Sequence, residues 1–228
     1  MEQRKQFKHD FLNRVQLERI TIDGVRHYKT PTGGCYPSVT TILSNLSKRG
    51  IQEWRQNVGE EKANQITRQA ASRGTATHSL CEKYLLNEPD FLKGAMPSNV
   101  TLFKQFQPYL DQYVGKIYGI EIPLYSHLLQ SAGTCDLFCQ LHGINTVVDF
   151  KTSTRPKKEE HIESYFYQAT AYAIMIEEIY KVTVPVLGIL IAVEEDNLQF
   201  FIKHTADYRD TVITYFRNSS CFNSQDSI

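Results

Sequence analysis

The stretch Val147-Val148-Asp149-Phe150-Lys151-Thr152 decides how this chain is read. Its β-branched and aromatic residues favour a strand, in which residues two apart share a face. Asp149 and Lys151 then project from one side while Val148 and Phe150 enter a core on the other. A carboxylate and an ammonium leave the sheet together. Thirteen residues upstream, Gly133-Thr134-Cys135-Asp136-Leu137 places a second acid in the preceding strand, and His142-Gly143 supplies a turn between them. Antiparallel pairing through that turn brings Asp136 near Asp149. Neighbouring carboxylates repel unless something positive lies between them, and a divalent metal is the common solution. Taken alone, the same residues also fit two sheet-edge acids and a surface lysine. Cys135 faces away from Asp136 and is expected in packing, as is Cys139.

Outward from this stretch the period of the pattern changes twice. Glu121 to Tyr125, Gly133 to Leu141 and Thr146 to Thr152 read as consecutive strands, followed by a long helix from Glu159 to Tyr180. Val184 to Val193 and Leu198 to His204 are two more strands around Glu194-Glu195-Asp196-Asn197, and Asp207 to Arg217 closes the chain as a helix. On the N-terminal side, Leu102, Phe103, Phe106, Tyr109, Leu110, Tyr113 and Ile117 stand at helical spacing behind a loop from Asn87 to Asn99. Arg19 to Lys29 alternates about Asp23-Gly24, a type I′ hairpin signal. Ser38 reads as the cap of a helix that Arg49-Gly50 ends; polar helical sequence follows to Ser72, and a further helix runs from Thr75 to Leu86. The fold expected is α/β, a central mixed β-sheet flanked by helices. The middle helix allows a parallel crossover. Residues 1–72 are expected to form an N-terminal hairpin and basic, mainly helical covering region, and residues 73–228 the core.

The 228 residues are 41% hydrophobic, 11% aromatic and 22% charged, which excludes disordered, collagen-like and coiled-coil classes. No apolar run spans a bilayer: Pro185 and Gly188 interrupt the longest candidate, Val182 to Val193. Met1 to Lys5 has no apolar stretch behind its charges, so neither export nor organelle import is expected. Five scattered cysteines without a CxxC pair fit a reduced, cytoplasmic setting. Net charge is zero, yet residues 1–110 hold 16 Lys and Arg against 10 Asp and Glu, and residues 111–228 hold 9 against 15. A phosphate-holding region joined to a cation-holding region gives this asymmetry, as do unequal solvated faces.

Several residues converge on the two acids. Arg73-Gly74-Thr75-Ala76-Thr77-His78 sets a histidine behind a glycine in the first turns of a helix, where a ring nitrogen can reach a metal. Gln168 and Tyr172 stand four apart, on one face of the long helix. Glu121 is a third acid. The ordered set His78, Glu121, Asp136, Asp149-Phe150-Lys151 and Gln168-Ala169-Thr170-Ala171-Tyr172 resembles the PD-(D/E)XK nuclease superfamily, in particular its RecB-like branch. Tyr36-Pro37-Ser38-Val39-Thr40-Thr41-Ile42-Leu43 and the Trp54-Arg55 helix resemble the start of phage exonucleases and of the mitochondrial genome maintenance exonuclease family. The absence of an import segment fits a phage-type member.

The resemblance implies a restriction-endonuclease-like core. It also implies one or two Mg²⁺ or Mn²⁺ ions held by His78, Asp136, Asp149 and the Phe150 carbonyl. Lys151 takes the catalytic lysine's place, Gln168 and Tyr172 position phosphate and Lys151, and Glu121 acts in the outer shell or on a second ion. The implied activity is that of a DNA exonuclease acting on single strands or free ends, in replication, recombination or degradation. The alternatives are an endonuclease, an RNA-acting nuclease or a silent nucleic-acid-binding module; a monomer is favoured. Expected DNA contacts are Tyr36, Ser38, Thr40, Arg55, Arg73, Thr152, Ser153 and Lys157. Lys48, Arg49, Arg68, Arg155 and Lys158 are further basic candidates. Trp54 and Phe103 are assigned to packing before base stacking.

Overall fold

The computed structural model describes residues 4–194 and 196–222, so Glu195 and the side chain of Cys221 lie outside the described residues. The strands are β1 (Lys8–His9), β2 (Glu18–Ile22), β3 (Val25–Lys29), β4 (Cys35–Pro37), β5 (Val114–Ser126), β6 (Ser131–Leu141), β7 (Ile144–Ser153), β8 (Val186–Val193) and β9 (Gln199–His204). The helices are α1 (Val39–Val58), α2 (Glu60–Leu85), α3 (Pro97–Tyr113), α4 (Glu163–Tyr180) and α5 (Arg209–Phe222). Six strands form one mixed sheet in the order β1-β5-β6-β7-β8-β9; β2, β3 and β4 form a small antiparallel sheet beside it. β7 pairs antiparallel with β6 and parallel with β8, and α4 is the crossover between β7 and β8. The chain is thus the expected α/β protein with a central mixed sheet flanked by helices.

Both sheet faces are covered, which is why β8 is apolar along its whole length and every residue of it is buried. On one face Leu187, Ile189, Ile191 and Val193 pack with α4, with Val212 and Phe216 of α5, and with Val39, Ile42 and Leu43 at the start of α1. On the other, Val148, Phe150, Leu190 and Ala192 pack with Leu80 and Tyr84 of α2 and Phe103 and Phe106 of α3. Two basic residues close helix ends: Arg4 donates to the carbonyls of Tyr84 (2.9 Å) and Glu88 (2.5 Å), with its guanidinium 4.6 Å from the Tyr84 and Phe91 ring centres. Lys5 Nζ donates to the Asp111 (2.5 Å) and Val114 (2.6 Å) carbonyls at the end of α3.

Several expectations are corrected. α1 does not end at Arg49-Gly50 but continues to Val58, and the break falls at Gly59, whose φ of 88° lies in the region favouring glycine. α2 then runs unbroken through Gly74, so His78 sits well inside a helix and not in its first turns. The boundary expected at residues 72 and 73 falls within that helix. Residues ahead of it are part of the main body, since β1 joins the large sheet and Phe7 is buried in its core. Ile117 lies in β5 and not in the preceding helix. α4 starts at Glu163, after a separate 3₁₀ turn at Glu159–His161. The hairpin at Asp23-Gly24 is as expected, with φ of 50° and 76° at its two turn residues.

Among the described residues, no helix is long and apolar enough to cross a membrane.

Candidate metal and nuclease site

Pairing between β6 and β7 extends from Leu141↔Ile144 to Leu137↔Val148 and stops there. Beyond that point β7 continues along β8 and β6 continues along β5, so the sheet forks. Asp136 sits in the fork, and its Oδ2 accepts the Phe150 N–H at 2.9 Å, a side chain taking over where a ladder carbonyl would have served. This is how the two acids become neighbours.

Glu121 is brought to the same place by a backbone reversal. It lies in the middle of β5, directly across from Asp136, between the pairs Ile120↔Leu137 and Ile122↔Cys135. Residues two apart in a strand normally share a face. Here Ile120 and Leu137 enter one core while Ile122 and Cys135 enter the other. The switch coincides with a φ of 45° at Glu121, a left-handed conformation costly for a side chain with a Cβ. Strain of this kind is found where the position of a side chain matters.

His78 arrives from α2. Its Nδ1 is 3.5 Å from Asp136 Oδ2, and His78, Glu121 and Asp136 each offer one ligand atom within 4.8 Å of the others. The trio lines an open cleft of about 760 Å³, to which α2 also contributes Gly74, Thr75, Ser79 and Glu82. Burial pushes the Glu121 carboxyl up to about 7, with the charges of Asp136 and Glu82 adding to the effect. The Arg14 guanidinium pulls the other way without cancelling the shift. One imidazole and two carboxylates within a few ångströms suit Mn²⁺, and suit Mg²⁺ with waters completing the shell.

Asp149 and Lys151 lie on the α4 side of the fork. Asp149 is fully buried; Gln168 Nε2 donates to its Oδ1 at 2.7 Å, and its other oxygen is ion-paired with Lys151. Burial raises the Asp149 carboxyl above its ordinary range, against the opposing pull of Lys151. Burial alone would lower the Lys151 ammonium, but the carboxylates of Asp149 and Asp136 outweigh it and raise it. Lys151 Nζ also stands 5.2 Å from the centre of the Tyr165 ring.

The expected site residues therefore converge in part. Glu121, expected in the outer shell or on a second ion, stands with His78 and Asp136, while Asp149 is paired with Lys151. Gln168 binds Asp149 and not Lys151. Tyr172 is buried, with its ring against Gly133, where an added Cβ would lie 2.9 Å from the hydroxyl. Cys135 and Cys139 are buried as expected. Tyr165 was missed, though it stands three residues before Gln168 on the same face of α4. Glu82 was missed likewise, four residues after His78 on α2.

The expected DNA contacts are scattered, and two are buried and hydrogen-bonded within the chain. Ser38 is buried and its hydroxyl caps α1, accepting the Thr41 N–H at 3.1 Å. Ser153 is buried and donates to the Arg155 carbonyl at 2.7 Å. The Tyr36 hydroxyl is engaged with His127 Nδ1 at 2.6 Å, the Thr40 hydroxyl with Arg26, and Arg55 with Glu60 and Asn64. Arg73 pairs with Glu194 at 2.8 Å and reaches the Thr152 hydroxyl at 3.4 Å. Lys157 is exposed. Among the other basic candidates, Arg49 pairs with Glu53 and Lys158 with Glu160. Phe103 is fully buried in the core and Trp54 is half-buried.

No family model matches the chain, and no curated protein matches it. Solved structures do match. One is a crystal structure from Eubacterium rectale described as a "Putative exonuclease", with a TM-score of 0.43 and 16% identity over 64% of this chain and 63% of that one. The chain thus spans less than two thirds of that protein's length. A likeness of this size assigns neither residue roles nor activity.

Proposed function

We propose that the chain is a divalent-metal-dependent nuclease that hydrolyses phosphodiester bonds of DNA, as an exonuclease working from the free ends of single strands in replication, recombination or degradation. The observation that carries this reading is the gathering of His78, Glu121 and Asp136 within 4.8 Å, beside the buried Asp149–Lys151 pair. His78, Glu121 and Asp136 would hold the ion, with Asp149 and the Phe150 carbonyl as further ligands. A cation bound there supplies Lewis acidity and an activated water.

The remaining work falls to the chain's own groups. Lys151, kept charged by its acidic neighbours, faces the phosphoryl oxygens and offsets the negative charge that grows on them in the transition state. Gln168 holds Asp149, Asp149 holds Lys151, and the Tyr165 ring limits the lysine's swing. The Phe150 N–H fixes Asp136, which lines the cleft.

The test is incubation with end-labelled linear and circular single-stranded DNA, with Mg²⁺, Mn²⁺ or chelator. Metal-dependent shortening of the linear substrate alone is expected. Cutting of the circle would replace exonuclease by endonuclease, and no cleavage with either metal would overturn the proposal.

A further inference from the structure

A second cavity, of about 230 Å³, lies on the other flank of α2 and meets the cleft at Ser79, which lines both. Its walls include Lys83 of α2, Phe91, Lys93 and Met96 from the segment leading into α3, and Asn99 of α3. None of its described lining residues is acidic. Neither Lys83 nor Lys93 has an ion-pair partner among the described residues, whereas Arg49, Arg55, Arg73, Lys116 and Lys203 all do. Lys83 is five residues beyond His78, about 7.5 Å along the helix axis. Met96 is 65% exposed, the most exposed large hydrophobic side chain among those described, and stands at the rim of the same cavity.

We propose that this groove binds the single strand of nucleic acid that enters or leaves the cleft over α2. Lys83 and Lys93 meet its phosphates, Asn99 and Ser79 offer hydrogen bonds, and Met96 and the Phe91 edge offer an apolar surface to the bases. The inference rests on the nuclease reading, because it takes its strand from that cleft. It also explains how a chain of zero net charge holds a polyanion. Lys48, Lys62, Lys104 and Lys157 are likewise without a carboxylate partner among the described residues; Lys83 and Lys93 differ from them in lining a groove that adjoins the site. Phosphate contacts dominate such affinity, and each one contributes to its salt dependence.

The experiment measures binding of fluorescent oligo-dT and oligo-U to the full chain, in Ca²⁺ or chelator to prevent cleavage, over a series of salt concentrations. Lys83→Gln/Lys93→Gln is compared with wild type and with the charge-matched control Lys116→Gln/Lys181→Gln, whose sites lie on β5 and beyond α4. Thermal melts and Mn²⁺ isotherms accompany each protein, so that loss of fold or of the metal site is seen separately. The groove variant is expected to bind at least tenfold more weakly and to lose about 1.4 from the slope of log affinity against log salt, at ~0.7 per single-strand phosphate. The control is expected to keep the wild-type slope, and both variants the wild-type Mn²⁺ isotherm. A groove variant with wild-type affinity and slope, or a control that falls as far, would overturn the groove while leaving the nuclease reading intact. A wild type that binds neither oligonucleotide would overturn both.

Discussion

Glu121→Gln separates the electrostatic cost of the fork from its use. The carboxyl of Glu121 is raised from 4.5 to about 7 in the folded protein by burial and by Asp136 and Glu82. The unfolded chain therefore gives up this proton at lower pH than the folded one. Stability from the protonated group is fully present below 4.5 and is lost as pH rises through about 7. Linkage over that interval amounts to about 3 kcal/mol at pH 8 and about 1 kcal/mol at pH 5. Glutamine has the same shape and no proton to lose, so metal-free Glu121→Gln should exceed wild type by about 3 kcal/mol at pH 8, or about 6 °C in Tm for a chain of this size. The advantage should shrink to about 1 kcal/mol at pH 5. Added Mn²⁺ should close most of the gap, because ligand at a hundredfold excess over Kd stabilises wild type by about 2.7 kcal/mol while the variant has lost a charged ligand. Circular-dichroism melts from pH 5 to pH 8, in chelator and in Mn²⁺, give all the quantities. Equal melting of the two metal-free proteins at pH 8, or an equal gain from Mn²⁺, would refute the reasoning.

Lys151→Ala should lose at least about a hundredfold in cleavage, the scale of removing one transition-state donor, while its Mn²⁺ isotherm persists through His78, Glu121 and Asp136; full activity would remove the lysine from the chemistry. Gln168→Ala takes away a hydrogen bond to a buried carboxylate, and urea melts should show a loss of about 1.5 to 3 kcal/mol; an unchanged midpoint would mean that Asp149 does not depend on it. Gly133→Ala drives a methyl to 2.9 Å from the Tyr172 hydroxyl and should cost about 1 to 3 kcal/mol by overpacking. Tyr172→Phe in that background should restore only part of the loss, since a ring carbon at 3.0 Å remains.

The sheet around the site was legible because β5, β6 and β7 carry alternating or β-rich sequence with turn residues between them, and a carboxylate in each of two hairpin-linked strands follows from counting. The helical region was harder to read. Glycine inside a helix costs only about 1 kcal/mol, and at Gly50 and Gly74 packing elsewhere outweighs it, so neither stops its helix; Gly59 does, with no stronger local signal. Tyr113 and Ile117 are four apart, which suits a helix, yet Ile117 is held by pairing with Cys139 of β6. The place of Glu121 was least legible of all. Its left-handed backbone reverses both strands' faces at once, and no period in the sequence marks a reversal that depends on the partner strand.

The seals made by Arg4 and Lys5 set an order of events during synthesis. Residues 4–9 are made before their partners, which are the ends of α2 and α3 and the backbone of β5, so the segment must wait for all three. Until it docks, the end of α2 a few residues beyond His78 is open to fraying, and the histidine's alignment with the acids is open with it. Resistance of this segment to a protease would therefore report when the site becomes competent, and a cut after residue 9 should loosen the cleft from a distance without touching any residue that lines it.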